Sequence, residues 1–79
     1  MTVALRSSIV NVRTGRVWGL VSRQTGMDWE RYEQRIIGVT KEALAEGATL
    51  LEISKQLAPL ISRSTFYRLA QKWEKEGKL

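Results

Sequence analysis

Residues 62–76 hold the side chains best suited to chemistry on a partner. Arg63, Ser64, Tyr67, Arg68, Gln71, Lys72 and Lys75 recur at spacings that gather them on one side of a helix. These types suit nucleic-acid edges. Arg pairs with guanine, Gln with adenine, Ser with either, and Lys with the phosphate backbone. The same window carries Phe66, Leu69, Ala70 and Trp73 at the complementary spacing, an apolar stripe for burial. Ser62 stands where an N-cap belongs, and the helix start it marks would offer free N–H groups to a phosphate. Base contacts are therefore expected from Arg63, Ser64, Tyr67, Arg68 and Gln71. Phosphate contacts are expected from Ser62, Thr65, Lys72 and Lys75, and from Thr49 and Lys55 upstream.

Other chemistry is excluded by composition. The 79 residues contain no Cys and no His. Thiolate nucleophiles, disulfides, cysteine zinc sites and imidazole proton transfer are therefore absent. The acids Glu30, Glu33, Glu42 and Glu46 read as solvated, paired along their helix with Arg31, Arg35 and Lys41, with no two poised for acid–base work. An enzyme is not expected, and neither is a cofactor or a metal. No apolar run approaches the roughly 20 residues of a membrane span. The N-terminal Met-Thr-Val-Ala-Leu-Arg does not read as a secretory signal, so a cytoplasmic setting is expected.

The elements that must position these groups follow from pattern. The chain is one domain of 79 residues, too short for a large enclosed cleft. Val10, Val12, Val17, Leu20 and Val21 flank Arg13-Thr14-Gly15-Arg16, a hairpin signal within residues 1–22. A two-residue Thr14-Gly15 loop would pair Val12 with Val17, Asn11 with Trp18 and Ile9 with Leu20. One face would then carry Val10, Val12, Val17 and Val21, and the other Ile9, Trp18 and Leu20. That register sets Arg13 opposite Arg16 at the tip. Two readings stay open: both arginines splay into solvent, or the tip grips phosphate or enters a minor groove. Gly19 marks a bulge or simply a small residue. Ser22-Arg23-Gln24-Thr25-Gly26 reads as a linker.

Three helices follow over residues 28–77. Asp28 is the expected N-cap of the first, with Met27 and Tyr32 as a hydrophobic staple. Trp29, Tyr32, Ile36, Val39 and Ala43 form its stripe, widened by Ile37 and Leu44, and Gly47 ends it. Gly38 inside it costs about 1 kcal/mol relative to Ala. Thr49 and Glu52 form a capping box for a short second helix whose apolar face is Leu50, Ile53 and Leu57. Pro59 breaks that helix within Ala58-Pro59-Leu60-Ile61. Trp18, Trp29 and Trp73 are expected to be core or interface anchors. The fold class is α+β, mainly α: an N-terminal β-hairpin followed by a three-helix helix-turn-helix core.

Two stretches carry a resemblance. Residues 46–57, Glu-Gly-Ala-Thr-Leu-Leu-Glu-Ile-Ser-Lys-Gln-Leu, then Ile61-Ser62-Arg63-Ser64-Thr65-Phe66-Tyr67-Arg68, look like a helix-turn-helix. The latter run is similar to the DNA-binding tails of serine recombinases (resolvases and DNA invertases) and to related transposase and repressor domains. The resemblance covers residues 46–73. It implies that Ser64 and Arg68 touch bases or nearby phosphates and that Phe66 is core. The sequence departs from the family in placing four residues, not about two, between Leu57 and Ser62. Residues 69–79 also resemble the exit of a winged-helix recognition helix. The wing-like or dimer-forming element would here be the N-terminal hairpin, with Arg13 and Arg16 as phosphate contacts.

Net charge is +5 on 13 basic and 8 acidic residues. Residues 1–26 carry four arginines and no acid, residues 27–58 are mildly acidic, and residues 59–79 are basic again. Basic ends around an acidic middle favour an anionic partner. The expected function is sequence-specific double-stranded DNA binding, as a small prokaryotic, plasmid or phage transcriptional regulator acting as a homodimer. Alternatives are an accessory factor for recombination, transposition or partition, and a protein-interaction module docking on an acidic partner. RNA binding and a membrane-surface role rank below these.

Overall fold

A computed structural model describes residues 5–23, 26 and 28–79. The architecture is α+β, mainly α: a hairpin of β1 (Leu5–Val10) and β2 (Val17–Arg23), then α1 (Trp29–Ala45), α2 (Leu50–Leu57) and α3 (Arg63–Lys75). Met27 of the expected staple, and Gln24 and Thr25 of the expected linker, lie outside the described residues. No helix among the described residues is long and apolar enough to cross a membrane.

The hairpin connection differs from the two-residue loop expected. It spans residues 11–16. A two-residue loop of the favoured primed type with Gly second would demand positive φ at Thr14, which is costly for a β-branched residue. Only glycines take positive φ among the described residues, and Gly15 is one, at φ +77°. Asn11 organises the loop instead. Its Oδ1 accepts from the Arg13 N–H at 2.9 Å, and its carbonyl accepts from the Gly15 N–H at 2.7 Å. This is the local bonding for which Asn is favoured in turns.

The longer loop changes the register. Ser7 pairs with Val21, Ser8 with Leu20, Ile9 with Gly19 and Val10 with Val17, so Trp18 is an extra residue in a β-bulge. The expected pairs Val12–Val17, Asn11–Trp18 and Ile9–Leu20 are not formed, and Arg13 and Arg16 both lie in the loop rather than across a ladder. The bulge breaks strict alternation. Ile9, Trp18 and Val21 are buried together, whereas Val12, Val17 and Leu20 are exposed.

Helix side chains bond to the main chain of one residue in each strand. The Gln56 amide from α2 acts as a substitute strand: its Oε1 accepts from the Val10 N–H at 2.7 Å and its Nε2 donates to the Val10 carbonyl at 2.8 Å. Ser7 Oγ donates to the Gln56 carbonyl at 2.6 Å. On β2, Arg35 Nε donates to the Leu20 carbonyl at 3.0 Å. Unpaired strand edges invite association, and these bonds occupy main-chain groups of one residue in each strand.

Each helix starts as its sequence dictates. Asp28 accepts from the Glu30 N–H, Thr49 from the Glu52 N–H and Ser62 from the Thr65 N–H. Gly47, at φ +91°, ends α1 in the left-handed conformation its position requires. α1 lies on β2, α2 on β1 and α3 on α2. The core joins Ile9 and Val21 to Tyr32, Ile36, Val39 and Ala43 of α1, Ile53 and Leu57 of α2, and Phe66 and Trp73 of α3. Burying side chains of this size contributes roughly 1.5–3 kcal/mol each. Phe66 and Trp73 meet edge to face at 6.4 Å. The long turn is packed rather than loose: Leu60 and Ile61 are buried, and both their N–H groups donate to the Leu57 carbonyl.

Two expectations for α1 are corrected. Trp29 is 48% exposed at the first turn, tilted against Tyr32 rather than enclosed. The acids do not pair along the helix. Glu33 is buried, and Glu42 and Glu46 bind Arg16 of the hairpin loop at 3.1 and 3.0 Å. Trp18 Nε1 also donates to Glu46. The cause is tertiary: the hairpin lies along α1, so its arginine and indole outcompete lysines and arginines of the same helix. Tyr32 is buried beneath Arg23, whose guanidinium sits 5.7 Å from the ring. Burial pushes its phenol above the ordinary tyrosine range, and Arg23 offsets part of that shift.

Candidate nucleic-acid interface

α3 is built as two faces. Phe66, Ala70 and Trp73 recur at intervals of four and three and are buried. With roughly 100° per residue, the direction opposite that stripe falls to Ser64, Arg68, Gln71 and Lys75. All four are exposed, as is Lys72 beside them; Arg63 is exposed too, at the first helical position on the flank nearer the buried stripe. Tyr67 is half-buried at the margin, its ring tilted against Phe66 at 6.2 Å. The structure therefore places six of the seven polar side chains expected on this face in solvent, with Tyr67 at its border.

The electrostatics follow from what is missing. Among the described residues, ion pairs join Arg16 to Glu42 and Glu46, and Lys78 to Glu76. Arg63, Arg68, Lys72 and Lys75 take part in none of them. Four uncommitted cations on thirteen helical residues, with Glu74 as the one acid, make a positive ridge about four turns long. Arg68 and Gln71, three residues apart, are neighbours on it and present donors that can reach outward together.

The capping hydroxyls are less free. Ser62 Oγ donates to Thr65 Oγ1 at 2.8 Å, and the Thr65 N–H approaches Ser62 Oγ at 3.4 Å. Thr49 Oγ1 accepts from the Glu52 N–H at 3.2 Å. The expected capping box is thus half formed, since no bond from the Thr49 N–H to the Glu52 carboxylate occurs among the described residues. Lys55 is exposed on α2.

The two hairpin arginines are separated in role. Arg16 is held by Glu42 and Glu46. Arg13 is exposed, and with Asn11 and Val12 it borders a crevice whose far wall is Glu46, Gly47, Ala48 and Glu52, at the start of α2. The loop tip therefore stands beside the connection between α1 and α2. Sequence reasoning missed Glu42 and Glu46 as its anchors because no local spacing links them to residues 26 to 30 positions earlier. No protein-family model, no curated protein and no solved structure matches the chain.

Proposed function

We propose that this chain is a sequence-specific double-stranded DNA-binding protein, a small transcriptional regulator of prokaryotic, plasmid or phage type acting in the cytoplasm. α3 enters the major groove. Arg63, Ser64, Arg68 and Gln71 contact base edges, with Tyr67 at their border. Lys72 and Lys75 bind the flanking phosphates, with Lys55 and Arg13 on neighbouring strands of backbone. The observation that carries this reading is the outward face of α3: donors of the types that read bases, none ion-paired among the described residues, on a helix locked by its opposite stripe. One such helix covers few base pairs, so a second copy would multiply specificity. The exposed Leu5, Val12, Val17 and Leu20 of the hairpin are the apolar surface for that pairing.

Selection from random duplex DNA, followed by affinity measurement across salt concentrations, tests the reading. A preferred sequence and a log–log salt slope of roughly −4 to −8 are expected, corresponding to about 5–9 neutralised phosphates. Absence of duplex binding at low salt overturns it and favours docking on an acidic protein. The two loop arginines should separate in the same assay. Arg13→Ala lowers the slope by about 1 and leaves stability unchanged. Arg16→Ala leaves the slope nearly unchanged and costs under about 1 kcal/mol of stability, because its ion pairs are solvent-exposed.

A further inference from the structure

Gly38 lies in the middle of α1, where glycine weakens a helix. The usual reason for such a glycine is a neighbour packed too close for a Cβ. That reason fails here: a Cβ on Gly38 would meet nothing within 4 Å. Its φ is not in the left-handed range either, since the positive-φ glycines are Gly15, Gly26, Gly47 and Gly77. No contact within the described residues accounts for it.

What surrounds Gly38 is a shallow open notch of about 370 Å³, lined by Gln34, Ile37, Gly38, Lys41 and Lys78. Lys41 comes from α1 and Lys78 from the segment after α3, so two lysines reach the notch from separate elements. Lys78 is set there by the end of α3. Gly77 takes φ +72°, the Lys78 N–H donates to the Trp73 carbonyl at 2.8 Å, and Leu79 packs against the core. Among the described residues, no acid lines the notch. Glu76 does reach Lys78 Nζ at 3.5 Å from outside it, an exposed contact that a stronger anion can displace.

We propose that this notch binds a phosphate group, with Lys41, Lys78 and the Gln34 amide as donors and bare Gly38 as the floor that lets the group approach the helix. The donor set selects an anion, because two lysines and a glutamine line the notch without a carboxylate. The missing side chain selects close approach, the role glycine serves where backbone must come near a ligand. The phosphate belongs either to a nucleic-acid backbone or to a free phosphate compound. The site does not depend on how α3 is used.

The test uses the full chain in amide-resolved NMR titrations with inorganic phosphate and, separately, with a duplex oligonucleotide, against chloride at matched ionic strength. The amides of Gly38, Lys41 and Lys78 should shift with at least one of the two. Shifts with duplex alone assign the backbone as source, and shifts with both assign a general phosphate site. Gly38→Ala should raise the unfolding midpoint while weakening binding at the notch about tenfold, and Lys41→Gln with Lys78→Gln should weaken it at least as much. A merely structural glycine would behave oppositely, with a lowered midpoint. The proposal is overturned by that result, by unchanged binding in Gly38→Ala, or by notch shifts no larger than those with chloride. Shifts confined to α3 amides would overturn the notch and leave the α3 reading standing.

Discussion

Gly19→Ala is expected to destabilise the fold by about 1–3 kcal/mol, the cost of forcing an added methyl group into a packed contact. A Cβ at this position would lie 2.6 Å from Cγ2 of Val39, well inside contact distance. Val39 cannot swing away, because a β-branched side chain on a helix is held near one rotamer. β2 cannot easily lift either. Trp18 is tied to Glu46 and the Leu20 carbonyl to Arg35, on either side of Gly19. Something in the β2–α1 contact must therefore move. The double variant Gly19→Ala with Val39→Ala should recover most of the loss, since the new methyl then fills the space vacated. Urea unfolding of the two single variants and the double variant measures this as a coupling of at least about 1 kcal/mol. Additive effects would show that the close approach is not what constrains residue 19.

Arg68→Ala is expected to cost about 1–3 kcal/mol of DNA affinity and to relax preference at one base position, with the unfolding midpoint nearly unchanged. Arg68 is exposed at the centre of the outward face of α3, one turn from Ser64 and beside Gln71. Its guanidinium takes part in no ion pair among the described residues, so the variant loses little inside the protein. Lys72→Ala on the same ridge should weaken all sequences alike and lower the salt slope by about 1. Competition binding against a panel of singly substituted duplexes separates the two. If Lys72→Ala alters preference and Arg68→Ala does not, the helix sits in the groove in another rotation.

The caps Asp28, Thr49 and Ser62, the terminator Gly47 and the stripe Phe66–Ala70–Trp73 were legible because each acts within a turn or two of its own helix. The hairpin was legible as an element but not in register. Its alternation of apolar residues is interrupted by the bulge at Trp18, and its loop is set by the Asn11 side chain rather than by Thr14-Gly15. The outward face of α3 could be named in advance, since a buried stripe defines its opposite. The roles of Arg13 and Arg16 could not, because they depend on Glu42 and Glu46 in another element.

By itself the sequence determined the exclusion of cysteine and histidine chemistry, the order of hairpin and three helices, and the polarity of α3. These rest on composition and on periodicities enforced by backbone geometry over a few residues. Only the tertiary structure decided that Gln56 and Arg35 bond to the strand main chain, that Arg16 is committed and Arg13 is not, that Gly19 is required by Val39, and that Gly38 is required by nothing within the described fold. Those facts depend on which surfaces meet once the hairpin lies on α1 and α2. Contacts between residues tens of positions apart are selected by the packing of the whole core, and no local spacing carries them.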